Sequence, residues 1–294
     1  MFAEAFTDRY SRDGLVGVRV PQLNPLVWRY AIDDAGDGAM VWRDAEGHMV
    51  AFNMVHRSGT EGWMGPLAVR PDRQGEGLGS LMVRTGIEWL KNQGATTIGL
   101  ETMPRTVDNI GFYSRIGLVP GYLTVTLVLE VPRRGPGEAP MLSHQGSPEL
   151  GIEECRKLTS DLLPGVDFTR EIALTRELSI GDTTLVRDGG ELVAFALWHS
   201  TPLAAGRPKD ELRVLKLVAR DSAAFDRLLD ALPMSAAGER VGRIALRCQT
   251  DFGSAYLRLV RRGYRVHWTD LRMTLDGYPR RDPVQGVVMS NWEI

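Results

Sequence analysis

A chain of 294 residues, 43% hydrophobic and 24% charged, has room for one large or two ordinary well-cored domains. Its formal net charge of −2 gives no global pull toward nucleic acid or an anionic membrane, and no apolar run approaches the ~20 residues of a membrane-spanning helix. Cys155, Cys248 and the five histidines form neither a CxxC pair nor a zinc spacing, so no disulfide framework and no metal site is expected.

Met1–Tyr10 carries acidic residues and no apolar segment, unlike a signal peptide, and a reducing cytosol is the default compartment. Residues 1–36 are interrupted by Pro21 and Pro25 and predict at most a reduced helical lead-in. Strands are predicted at 39–44, 48–57 and 61–70, the first two forming a hairpin around an Asp/Gly turn. In the third strand, Gly65-Pro66 should break the ladder beside Leu67, because proline has no N–H to give. A helix follows at 78–93, with Leu78, Leu81, Met82, Trp89 and Leu90 on one face and Gly94 placed to end it. Strand 96–103, helix 106–116 and strand 121–131 complete the first half.

Residues 131–150 hold Pro132, Pro136, Pro140 and Pro148 and cannot continue a helix or a central strand. The predicted organisation is therefore a first domain over 1–131, a linker over 132–148 and a second domain over 149–294. Helices at 151–163 and 168–178 open the second half. Strands at 183–188, 191–199 and 211–219, helix 222–232, strand 243–249, helix 252–262 and strand 264–275 follow, then a tail at 286–294.

The halves repeat one another. VWRDAEGHMVAFNMVHRS (41–58) matches LVRDGGELVAFALWHS (185–200), TIGLET (97–102) resembles RIALRC (243–248), and NIGFYSRIG (109–117) resembles GSAYLRLVRRG (253–263). Shared order as well as shared type points to a duplication. His56 recurs as His199 and reads as structural. The acidic pairs Asp33-Asp34 and Glu153-Glu154 read as solvated surface.

The stretch RQGEGLGS (73–80) places Gly75, Gly77 and Gly79 directly before a helix. A helix start exposes backbone N–H groups and partial positive charge, and glycines let those amides close around a phosphate; a plain tight turn is the other reading. A P-loop is excluded because Gly79-Ser80-Leu81 lacks the lysine, and a dinucleotide fingerprint fails at Ser80, where a glycine belongs. A third pattern fits. LAVRPDRQGEGLGSLM (67–82) resembles motif A of the GNAT acyltransferase superfamily, read here as Gln74-Gly75-Glu76-Gly77-Leu78-Gly79, and GFYSRIGL (111–118) resembles its motif B. The likeness is specific over roughly 39–131 and holds at the level of element order over 151–275.

That resemblance implies a mixed α/β fold of two tandem GNAT-like domains, each a mostly antiparallel sheet flanked by helices. It implies acetyl-CoA as co-substrate, with its pyrophosphate on Gln74, Gly75, Glu76, Gly77, Leu78, Gly79 and Ser80 and with Arg73 nearby. Its pantetheine arm would lie along Leu67, Ala68 and Val69. Tyr113, with Phe112 beside it, matches the tyrosine that protonates or binds the leaving sulfur. The asparagine often found seven residues before that tyrosine is here Thr106, so Asn109 is the remaining candidate for its coenzyme contact. Glu101 is the candidate base that frees the attacking amine of its proton. The expected reaction is N-acetylation of a primary amine, on a small molecule rather than a protein, with no metal, nucleic-acid or membrane partner and with a homodimer left open; a non-catalytic acyl-CoA-binding module is the alternative. In the second half no glycine occurs between Leu212 and Leu232, and Arg247 replaces Glu101, so that half is expected to bind no coenzyme.

Overall fold

The computed structural model describes residues 1–133 and 139–292. Two helices, α1 (Phe2–Arg12) and α2 (Pro25–Ala35), precede a meander of β1 (Ala39–Arg43), β2 (Met49–Ser58) and β3 (Glu61–Val69). Helix α3 (Leu78–Asn92) crosses over to β4 (Thr97–Thr102), and α4 (Val107–Ile116) leads into β5 (Leu118–Glu130). The second half repeats this order as α5 (Pro148–Leu162), α6 (Thr169–Glu177), β6 (Gly181–Asp188), β7 (Glu191–His199), β8 (Glu211–Ala219), α7 (Ser222–Gly238), β9 (Arg243–Gln249), α8 (Gly253–Arg261) and β10 (Arg265–Leu275). A short strand, β11 (Val287–Ser290), follows. Among the described residues no helix is long and apolar enough to cross a membrane.

All the strands join one sheet, in the order β1-β2-β3-β4-β10-β5-β9-β8-β7-β6, with β11 on β8. The halves exchange their last long strands. β10 pairs with β4 of the first half, β5 pairs with β9 of the second, and β5 and β10 pair with each other at the centre. Neighbours are antiparallel except β3–β4 and β8–β9, the two pairs joined by crossover helices.

Strand alternation gives each face its own cover. On one face, α3 and α4 pack Val83, Ile87, Leu90, Tyr113 and Ile116 against Val55, Met64, Ile98 and Leu100. On the other, α1 and α2 bring Phe2, Phe6 and Trp28 onto Phe52, Met54 and Ala68. This corrects the expectation of at most a reduced helical lead-in over residues 1–36. Each of α1 and α2 runs to eleven residues. Pro25 starts α2 rather than breaking it, since a proline in the first turn forfeits no intrahelical bond, and the Asn24 side chain accepts from Leu26 N–H at 3.0 Å.

Of the stretch read as a linker, residues 134–138 lie outside the described residues. Ala139 and Leu142 are buried, and Met141 bridges to Thr184 of β6, so this part packs onto the second half. The acidic pair Asp33-Asp34 also splits: Asp33 pairs with Arg29, while Asp34 is buried with its Oδ2 2.5 Å from His56 Nδ1. Residues 293–294 of the tail lie outside the described residues.

Candidate active site

The β3–β4 ladder runs only from Glu61–Met64 against Thr97–Leu100. It stops at Gly65, whose φ of +149° is open to glycine alone, and at Pro66, which has no N–H. Beyond them Leu67, Ala68 and Val69 pair with β2 on one side, and their edge toward β4 forms no ladder. A slot therefore opens between β3 and β4, as the Gly65-Pro66 pair predicts.

At the mouth of the slot, Gly75 and Gly77 have φ near +87° and +85°, and a Cβ at either would meet open space. Gly77 caps α3 without a side-chain acceptor. Among the described residues, nothing accepts from the backbone N–H groups of Gly75 through Ser80, six amides in a row at a positive helix end. Gly79 sits 3.4 Å, measured from an ideal Cβ, from the Phe112 ring, which ties the loop to α4. Arg73 is engaged by Glu76 through bonds of 2.9–3.1 Å, and the Gln74 side chain donates to Val69 O at 3.3 Å. Asn109 lies one turn before Tyr113 on α4, half-buried.

Tyr113 points into the core beneath the slot, and burial pushes its hydroxyl up to about 12, so it stays protonated at ordinary pH. Glu101 stands differently from the expected base. Arg272 donates to its Oε1 at 2.7 and 2.9 Å, Arg247 to its Oε2 at 2.6 Å, and Thr124 also donates to it. Burial opposes its charge, but Arg272, Arg247 and Thr124 together hold the carboxyl below its ordinary value. With both oxygens taken by cations, the geometry speaks for a fixed counter-ion rather than a proton acceptor. Arg247 is the residue matching Glu101 in the second half, so the two copies meet at this pair.

The second half shows what happens without the glycines. The ladder of β8 with β9 also stops early, at Val214 and Leu246. There the opening is filled by the chain itself, as β11 pairs Val287–Ser290 with Ala219–Lys216. The start of α7 is capped by the Asp221 carboxylate, which accepts from Ala224 N–H at 2.8 Å. A protein strand and a protein carboxylate thus stand where the first half leaves bare backbone.

Sequence reading missed what joins the two openings. At the end of β11, Ser290 Oγ donates to Glu61 at 2.5 Å and accepts from Lys216 Nζ at 2.9 Å; Arg272 donates to Ser290 O at 2.7 Å, and Asn291 N–H to Leu215 O at 2.9 Å. Lys216 also donates to Asn291 O at 3.1 Å and lies over the Trp63 and Phe168 rings. Lys216 in the apolar run LRVLKLVA was the available signal, since a lysine there must be paired to be buried.

A family model for GNAT acetyltransferases matches residues 4–118. Over nearly the whole chain the fold is similar to known structures. One is a Pyrococcus horikoshii protein assigned to the acetyltransferases (TM-score 0.66, 14% identity, 99% of this chain and 89% of that one). Another is a tandem GNAT protein of the clavulanic acid biosynthesis pathway (TM-score 0.56, 14% identity, 95% and 96%). A third is Saccharomyces cerevisiae N-myristoyltransferase with bound myristoyl-CoA (TM-score 0.60, 10% identity, 93% and 78%). With the glycine loop, the open strand beside it and the doubled element order, these matches make residues 4–118 a domain of the GNAT acetyltransferase family, within a chain that shares the fold of a tandem GNAT protein.

Proposed function

We propose that the first half transfers an acetyl group from acetyl-CoA to a primary amine of a small-molecule acceptor, by direct attack with both substrates bound. The observation that carries this is the run of six unengaged amides, Gly75–Ser80, beside the open edge of Leu67–Val69. The amides fit a pyrophosphate, which needs many donors and positive potential. The strand edge fits an amide-bearing arm, which adds to a sheet edge by backbone bonds. Acetyl-CoA supplies the activated acyl group as a thioester. Arg73, turned from Glu76 toward the phosphates, adds charge. Tyr113 supplies or shares a proton with the departing sulfur; its raised pKa keeps that proton available and makes full transfer uphill, so hydrogen bonding to the sulfur is the larger part of its role. Asn109 and Phe112 shape the loop side of the slot, and Glu101 positions Arg247 and Arg272.

The test is calorimetry with coenzyme A on the whole chain and on Gly77→Trp. One equivalent should bind the native chain, and the substitution should abolish binding, because an indole at φ +85° both strains the loop and occupies the cradle. Retained binding would remove the loop from the account, and two equivalents would show that the second half also binds. The engaged state of Glu101 favours a second reading, an acyl-CoA-binding module without turnover. Thiol release from acetyl-CoA with a panel of amines separates the two, since a binding module gives none above the blank.

A further inference from the structure

Gly65 on β3 and Gly99 on β4 leave the sheet without side chains just where the slot ends. A Cβ on Gly99 would lie 2.5 Å from the Trp292 ring, and one on Gly65 would lie 3.9 Å from Trp292 O. The recess made by the two glycines is thus filled by a residue from the far end of the chain. Trp292 is 1% exposed, the Arg272 guanidinium stacks 3.8 Å from its ring centre, and Arg272 is itself held by Glu101. The tail before it is pinned by Glu61, Lys216 and Arg272. Among the described residues the Trp292 indole N–H has no acceptor, which is unusual for a buried donor and is expected where a ligand's acceptor belongs.

The direction of the slot gives this ring a role. Phosphates at Gly75–Ser80 and an arm along Val69 to Leu67 put the thioester next to Gly65. An acyl chain cannot continue in the plane of the sheet, because β3 and β4 are paired from Met64 and Leu100 inward. On the α3–α4 face it would meet the packed Met64, Leu100 and Tyr113. The remaining exit is the recess, and Trp292 occupies it.

We infer that Trp292 is the wall met by the acyl group of a bound CoA thioester and sets the acyl length the chain accepts; this rests on reading 65–80 as the coenzyme slot. The experiment is calorimetric titration of the full chain, Trp292→Ala and Trp292→Leu with coenzyme A, acetyl-CoA and hexanoyl-CoA. The native chain should bind hexanoyl-CoA at least about tenfold more weakly than acetyl-CoA, the cost of forcing methylenes into filled space. The alanine variant should bind both alike, since the vacated indole volume exceeds four methylenes, and the leucine variant should fall between. Leucine keeps most of the packing and carries the test if the alanine variant does not fold. Unchanged discrimination in a folded variant, or no discrimination in the native chain, overturns the inference while leaving the slot intact if free coenzyme A still binds. Failure of coenzyme A to bind the native chain overturns the slot reading and the inference with it.

Discussion

At the scale of single residues, the site is governed by which charges are already satisfied. Glu101 is surrounded by Arg247, Arg272 and Thr124 and is buried with them. Glu101→Gln should lower stability by about 3–5 kcal/mol, because it leaves two buried arginines short of a partner, while coenzyme A binding stays near native; thermal melting and titration of the same variant check both. A base would show the opposite, native melting with lost turnover. Since the fold depresses the Glu101 pKa, its contribution is complete above the ordinary carboxylate value and is lost as pH falls toward the folded value. Glu171 has the opposite sign. Burial, then the charge of Asp34, raises it to about 7 against the pull of Lys216, with Ser58 donating to it. A carboxyl raised in the fold stabilises below its unfolded pKa, and that contribution is lost as pH rises through about 7. The melting temperature should therefore fall between pH 5 and pH 8 more steeply in the native chain than in Glu171→Gln, which keeps an oxygen for Ser58. Equal slopes would remove Glu171 as a source of the pH dependence.

At the scale of elements, the two halves are a controlled comparison. Both open their sheet after a parallel pair, and one fills the opening with β11 while the other does not. A chain ending at residue 285 should lose at least about 10 °C of melting temperature, because Lys216 and Glu61 lose their partners Ser290 and Asn291 and β8 loses the strand paired along it; melting within about 2 °C of native would show the tail to be an ornament. Most elements were legible beforehand. The α3 stripe, the Asp/Gly hairpins and the Gly65-Pro66 break are local signals that burial reinforces. α2 is obscured because Pro25 reads as a breaker unless its capping partner Asn24 is taken with it. β11 was hidden because VVMS is too short to show a period and its partner lies roughly 70 residues back, beyond any local rule.

At the scale of the whole molecule, the exchange of β5 and β10 was not legible at all, since nothing local in a strand says which edge it will join. Glycine spacing and motif order point to the loop at 75–80 as an anion cradle, but the ion pairs at Glu101 and the placement of Trp292 follow only from the exchanged topology. The same exchange predicts how the chain divides. Fragments 1–138 and 139–294, made separately, should each lack a cooperative melt, because each sheet is finished by the other's strand. Made together they should recover one transition and coenzyme binding. Independent melting of either fragment would show that the exchange is dispensable for that half.

The position of β10 also fixes when the sheet becomes whole during synthesis. β4 leaves the ribosome with one edge bare, and its neighbour there, around Leu271, is translated roughly 170 residues later, a wait of about 10–30 s at roughly 5–20 residues per second. Through that interval the nascent first half carries an open strand edge and the apolar residues that β10 will cover, a target for chaperones and for the edges of neighbouring chains. Ser290 to Trp292, which arrive later still, are those that pin the tail and fill the recess at Gly99. Translation that stops short of them would yield a chain with its glycine loop made and the recess at Gly99 unfilled.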